Sequence, residues 1–172
     1  ADAAEEAIRD SLLARDGSAT PEDVALALAE AKAAAVSARH PEALVIGADQ
    51  VLAFEGRLLD KAPSMEEARA VLSALRGKTH ALHSAVALCR GGAIVWRGVD
   101  TARLTMRTFS EAALDAYLAE AGPRVLSSVG SYQIEGPAIQ LFERIEGEHA
   151  TILGMPLLPL LHALRREGAL IA

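Results

Sequence analysis

The tightest constraint on the fold lies between Thr79 and Arg107. Thr101-Ala102-Arg103-Leu104-Thr105-Met106-Arg107 alternates polar and apolar residues strictly, the period of a strand with one wet face. A second strand-like run, Thr79 to Cys89, precedes it, and only Arg90-Gly91-Gly92 separates the two. So short a connection turns the chain straight back, so the two runs form an antiparallel ribbon.

Helical signals surround the ribbon. An acidic, helix-like stretch runs from Glu5 to Leu13, and Gly17-Ser18 breaks it. Thr20-Pro21-Glu22-Asp23 then supplies a capping residue, a proline at the first helical position and acids in the first turn. The spacing predicts a helix from Pro21 to Ser37 with Val24, Leu28, Ala31 and Ala35 buried and Lys32 beside that stripe. A lysine there either snorkels to solvent or points into a cleft. Ser64 and Glu67 form a capping box for a helix whose Ala68, Val71, Leu72 and Leu75 recur at helical spacing until Gly77. Ser110 caps another, with Leu114, Tyr117 and Leu118 inward, stopped at Gly122-Pro123. Val51 to Phe54 and Arg57 to Leu59 flank Glu55-Gly56 as a tight hairpin. Gln140 to Glu146 and Thr151 to Leu153 read as further strands. A last helix places Leu157, Leu158, Leu161 and Leu164 inward and Arg165-Arg166 at its negative end. With 172 residues and 51% hydrophobic content, one compact α/β unit is expected.

Two stretches admit a functional reading beside a structural one. Leu44-Val45-Ile46-Gly47-Ala48-Asp49-Gln50-Val51-Leu52 sets an acid and an amide between two apolar runs, shortly after a glycine. The expectation is that a buried strand ends there and the chain turns. A carboxylate so placed is either turn punctuation or the base or metal ligand of a site, because burying it without a cation or several donors is costly. The second stretch, Ser127 to Pro137, holds small residues, two glycines, an amide and a carboxylate in an order too irregular for a helix and too polar for a core strand. Such segments line ligands or form surface loops.

Charge and composition narrow the partners. A net charge of -6 opposes a nucleic-acid backbone as ligand, whereas a small anion needs only one or two local cations. No apolar run approaches the roughly 18 residues of a membrane span, and the single Cys89 suits a reducing compartment, so a cytoplasmic protein is expected. Cys89 lies in an apolar run and reads as core. His80 and His83 are three apart on a strand and face opposite ways, which makes a shared metal between them improbable.

Gly47-Ala48-Asp49-Gln50, Lys61, Gly77-Lys78-Thr79-His80, Gly130-Ser131-Tyr132-Gln133-Ile134-Glu135-Gly136 and Gly154-Met155-Pro156-Leu157 resemble, in order and spacing, the motifs of the Maf family of nucleoside triphosphate pyrophosphatases. The resemblance covers essentially the entire chain. It implies an α/β fold of the Maf/ITPase-like kind, with an elongated mixed β-sheet flanked by helices and two lobes around a nucleotide cleft.

By the same resemblance Asp49 matches the proton acceptor that activates water. Lys32 and Lys61 match the lysines of the phosphate pocket, Gln50 and Glu135 match positions tied to base selection, and Glu5 matches an acid near the metal. Glu135 and the preceding Gly130-Ser131-Tyr132 are similar to the 7-methyl-GTP branch. A carboxylate suits a methylated guanine, whose ring is cationic and whose N1 and N2 hydrogens are donors. Cleavage between the α and β phosphorus atoms spreads negative charge over non-bridging oxygens, which lysines and a divalent cation, Mg²⁺ or Mn²⁺, would stabilise. Asp49 alternatively binds that cation itself.

The resemblance also implies a preceding strand and a Ser-x-Ser-x-x-Arg-type loop, so the single Maf-like domain of residues 1–172 is expected to be incomplete at its N-terminus. A homodimer follows by family analogy. The alternatives are a dTTP/UTP pyrophosphatase of the same family and a non-catalytic nucleotide-binding regulator of septum formation.

Overall fold

A computed structural model describes residues 3–15 and 19–171. The elements are α1 (Ala3–Arg15), α2 (Pro21–Ser37), β1 (Leu44–Phe54), β2 (Arg57–Leu59), α3 (Met65–Leu75), β3 (Thr79–Arg90), β4 (Ala93–Met106), α4 (Glu111–Ala121), β5 (Phe142–Glu146), α5 (His149–Ile152) and α6 (Leu157–Arg166). The strands form one five-stranded sheet in the order β2-β1-β3-β4-β5, flanked by helices, and the fold is mixed α/β. The two runs paired in the sequence, β3 and β4, are neighbours in that sheet.

The chain divides into two compact units, one comprising Ala1–Gln50, His83–Thr101 and Glu148–Ala172, the other Val51–Leu82 and Ala102–Gly147. In the first, α2 begins in a full capping box: Thr20 accepts from the Asp23 amide, and the Asp23 carboxylate accepts from the Thr20 amide at 2.9 Å. Helix α2 lies so close to β1 that a Cβ on Gly47 would sit 2.3 Å from the Ala29 carbonyl oxygen and 2.6 Å from the Ala33 nitrogen. On α6, Leu160 and Ala163 pack with Val86 and Leu88 of β3, and Leu44 and Ala48 of β1 join them.

In the second unit Glu55 and Gly56 both take positive φ, as the tight β1–β2 hairpin requires, and Phe54 pairs with Arg57. Helix α3 starts at Ser64, whose side chain accepts from the Glu67 amide, and it buries Ala68, Leu72 and Leu75. Helix α4 buries Leu114 and Tyr117 and ends at Gly122 with φ +61°. Three short 3-10 segments follow, Gly122–Ser127, Val129–Ser131 and Pro137–Leu141, before β5 pairs antiparallel with β4.

Four expectations are corrected. Strand β1 continues unbroken through Asp49 to Phe54, so no turn follows the carboxylate, and the preceding glycine serves helix contact rather than chain reversal. Thr151 belongs to the helical turn α5 instead of a strand, because its carbonyl is met by side-chain donors as a helix end requires. Helix α2 is rotated from the expected stripe. Ala25, Ala29 and Ala33 are buried with Val24 and Leu28, while Ala35 is exposed, since the face pressed on Gly47 must present small residues. Leu157 and Leu158 of α6 are exposed, and burial falls on Leu160 and Ala163. The expected break at Gly17-Ser18 lies outside the described residues.

Candidate active site

Alternation along β1 sends Val45, Gly47 and Asp49 to one face and Leu44, Ala48 and Gln50 to the other. The Gly47 face is the one covered by α2, so Asp49 meets that helix one strand repeat further on. Lys32, one residue before the Ala33 that abuts Gly47, extends to it, with Nζ 2.5 Å from Asp49 Oδ1. The carboxylate side chain is 12% exposed and the lysine 39%. An almost buried acid is thus faced by a cation, which is the compensation its burial demands. One end of the pair is fixed by a rigid strand and the other can slide toward solvent along the lysine stem.

Gln50 does something different. Its Nε2 lies 2.8 Å from Ser84 Oγ, 3.1 Å from the Thr151 carbonyl and 3.0 Å from the Ile152 carbonyl. Two of those partners can only accept, which assigns the nitrogen to that side. Ser84 Oγ donates to the same Thr151 carbonyl at 2.6 Å. Thr151 Oγ1 in turn donates to Asp100 Oδ2 at 2.7 Å, and Asp100 Oδ1 accepts from the Thr101 amide. Asp49 and Gln50 are therefore neighbours in sequence with separate duties: one faces the helix lysine, the other fastens β1 to α5.

In the second unit Lys61 is exposed in the loop before α3. Glu135 is exposed at a tight turn, closed by the Gly136 amide donating to the Gln133 carbonyl at 3.0 Å, with the adjacent Ile134 buried. Glu5 lies in α1, but its side chain is outside the described residues. The structure thus joins Lys32 to Asp49 directly and turns Gln50, the next residue of β1, toward Ser84 and α5, while Lys61 and Glu135 belong to the other unit.

Sequence reasoning missed the Ser84–Thr151–Asp100 network. The available signal was a serine inside a long buried run of β3, where a hydroxyl needs a partner. It also missed His80, which is buried with Nε2 2.7 Å from the Tyr132 hydroxyl. Burial pushes the imidazole down to a pKa of about 4, so it is neutral at physiological pH. His83, on the opposite face of the strand, places Nδ1 2.9 Å from Thr101 Oγ1 and 3.0 Å from Glu22 Oε1.

A mixed α/β sheet with an acid fixed on a central strand and a helix lysine on it defines the class: an α/β protein with a charged candidate site on its sheet. The family described as Maf-like protein matches residues 2–167, and the chain belongs to the Maf family. A relative from Caulobacter vibrioides named nucleoside triphosphate pyrophosphatase is 54% identical over 166 residues, covering 96% of this chain and 82% of its own. A Brucella abortus relative named 7-methyl-GTP pyrophosphatase is 52% identical over 152 residues, covering 88% of this chain and 76% of its own. A Bradyrhizobium diazoefficiens relative named nucleoside triphosphate pyrophosphatase is 56% identical over 148 residues, covering 86% of this chain and 73% of its own.

Proposed function

We propose that this chain hydrolyses a nucleoside triphosphate, 7-methyl-GTP in first place, to the monophosphate and pyrophosphate. The relatives' names support the reaction class, and the Lys32–Asp49 contact is the observation that carries the site. Asp49 acts as the base that takes a proton from the attacking water, and the strand beneath it keeps that oxygen in place. Lys32 orients the carboxylate and, with Lys61, offsets charge on the phosphates as the bond to the leaving pyrophosphate breaks. Glu135 accepts from the N1 and N2 hydrogens of the base, and Gln50 supports selection from its fixed position.

A divalent cation, Mg²⁺ or Mn²⁺, fits the donor chemistry. Magnesium on phosphate substrates takes oxygen ligands and commonly only one or two carboxylates. Asp49 would be one and Glu5 the second, and the cation would neutralise phosphate charge. Cytoplasmic action fits the lone, buried Cys89 thiol, and among the described residues no helix is long and apolar enough to cross a membrane. A homodimer without nucleic acid completes the reading.

The test is pyrophosphate release by the full-length gene product from 7-methyl-GTP, GTP, dTTP and UTP with either cation. Turnover that favours 7-methyl-GTP and falls by about 10²- to 10⁴-fold in Asp49→Asn, with folding retained, is the expected result. Preference for dTTP and UTP would move the protein to that branch of substrates. Nucleotide binding with no release by the wild type would make it a non-catalytic binder.

A further inference from the structure

Around Tyr132 the second unit accepts costs that stability alone would avoid. His80, Tyr132 and Ser131 are 3%, 5% and 0% exposed. Nδ1 of His80 and Oγ of Ser131 are buried without a hydrogen-bond partner among the described residues, and each such group forgoes a solvent bond. Ser131 also takes φ +60°, a left-handed conformation unusual for a residue with a side chain. An apolar side chain at position 80 would leave no orphaned nitrogen. Strain and unsatisfied polarity collected at one corner point to a geometric demand made by function.

The demand is visible in what the corner holds. His80 Nε2 meets the Tyr132 hydroxyl at 2.7 Å, and the Tyr132 ring packs edge-on against Phe142, centroids 4.9 Å apart. Tyr117, on α4, donates its hydroxyl to the Ser131 carbonyl at 3.1 Å. Two adjacent residues of an irregular segment are therefore pinned from β3 and from α4. The next residues, Gln133 to Gly136, form the tight turn that carries Glu135 at its exposed corner. Within that turn Ile134 is buried, so rotation of Tyr132 would carry Glu135 with it.

We propose that the His80–Tyr132 hydrogen bond is a positioning contact for base selection, fixing the pose of the Gln133–Gly136 turn and hence of the Glu135 carboxylate. His80 and Tyr132 are both buried, with their polar ends turned to each other. They act through Glu135, and the inference rests on the base-reading role proposed for that residue.

The readout is the ratio of affinities for non-hydrolysable analogues of 7-methyl-GTP and UTP, measured beside the ratio of kcat/KM values. Tyr132→Phe keeps the ring and removes the hydroxyl, and should lower the ratio by about tenfold, with the catalytic loss carried in KM more than in kcat. His80→Leu should do the same, whereas His80→Gln, which can still bond the hydroxyl, should restore most of the preference. In the Tyr132→Phe/Glu135→Gln double variant the ratio should equal that of Glu135→Gln alone. A contact that is merely structural would lower the melting temperature and leave the ratio at its wild-type value, and that outcome, or full additivity in the double variant, overturns the proposal. Because affinities are read directly, absence of turnover sinks only the pyrophosphatase reading. An unchanged ratio in Glu135→Gln removes the base-reading role and this inference with it.

Discussion

Lys32 Nζ stands 2.5 Å from Asp49 Oδ1, joining the middle of a helix to the middle of a strand. The two partners differ in freedom. Asp49 is nearly buried on β1, whereas Lys32 is more than a third exposed and reaches the acid along a flexible stem. Removing either therefore has unequal consequences. Lys32→Met leaves a carboxylate that cannot leave its strand, while Asp49→Asn leaves an ammonium that can turn to water. We expect Lys32→Met to destabilise by about 1–3 kcal/mol, less than a fully buried pair because solvent reaches the lysine, and Asp49→Asn by clearly less. Urea unfolding of the two variants checks the order, and equal losses would contradict the asymmetry.

His80 makes acid stability a measure of the second unit. Its folded pKa of about 4 lies below the ordinary 6.5, because burial disfavours the imidazolium. Between those values the unfolded chain binds a proton that the folded one refuses. The contribution of His80 is thus present in full above pH 6.5 and is lost as pH falls toward 4. At about 1.4 kcal/mol per pH unit the loss approaches roughly 3 kcal/mol. Replacing His80 by Gln removes the titrating group, so the wild type should lose more unfolding free energy over that interval than the variant. Parallel pH profiles would show that the folded protein protonates His80 as readily as the unfolded chain does.

Much of this architecture is legible in the chain. The ribbon at Arg90-Gly91-Gly92, the helix caps at Thr20 and Ser64 and the Glu55-Gly56 hairpin each rest on short-range rules, which hold wherever neighbours in sequence decide the geometry, although the reciprocal Glu67 bond of the box expected at Ser64 is not formed. The misreadings share a different cause. Gly47 just before Ala48-Asp49 resembles a turn, yet the reason for the glycine is the backbone of Ala29 and Ala33 on the preceding helix. The rotated face of α2 follows from the same contact. Thr151 has strand-like character, but its carbonyl is met by Gln50 and Ser84. Long-range partners decided each of these positions, and no local period carries that information. Within the site, the acid and Lys32 were visible as residues out of place, while the roles of Ser84, Thr151 and His80 depended on partners that only the fold brings near.

Gln50 offers the sharpest test of that long-range control. Its nitrogen faces the carbonyls of Thr151 and Ile152, two groups that can only accept, and the Ser84 hydroxyl, whose proton is given to Thr151. An acceptor put in its place has nothing to bond. Gln50→Glu preserves size and shape yet aims a carboxylate oxygen at two carbonyl oxygens, so near neutral pH it should cost at least the roughly 1–3 kcal/mol of an unsatisfied buried group, with charge desolvation added. Protonating that carboxylate restores a donor, so the deficit against wild type should shrink as pH is lowered toward 4, opposite in sign to the effect of His80. Gln50→Ala, which removes the amide and admits water, should be the milder change at neutral pH and show no such recovery. If Gln50→Glu matched the wild type at neutral pH, the amide would not be the strut between β1 and α5, and the fixed orientation assigned to it beside Asp49 would have to be abandoned.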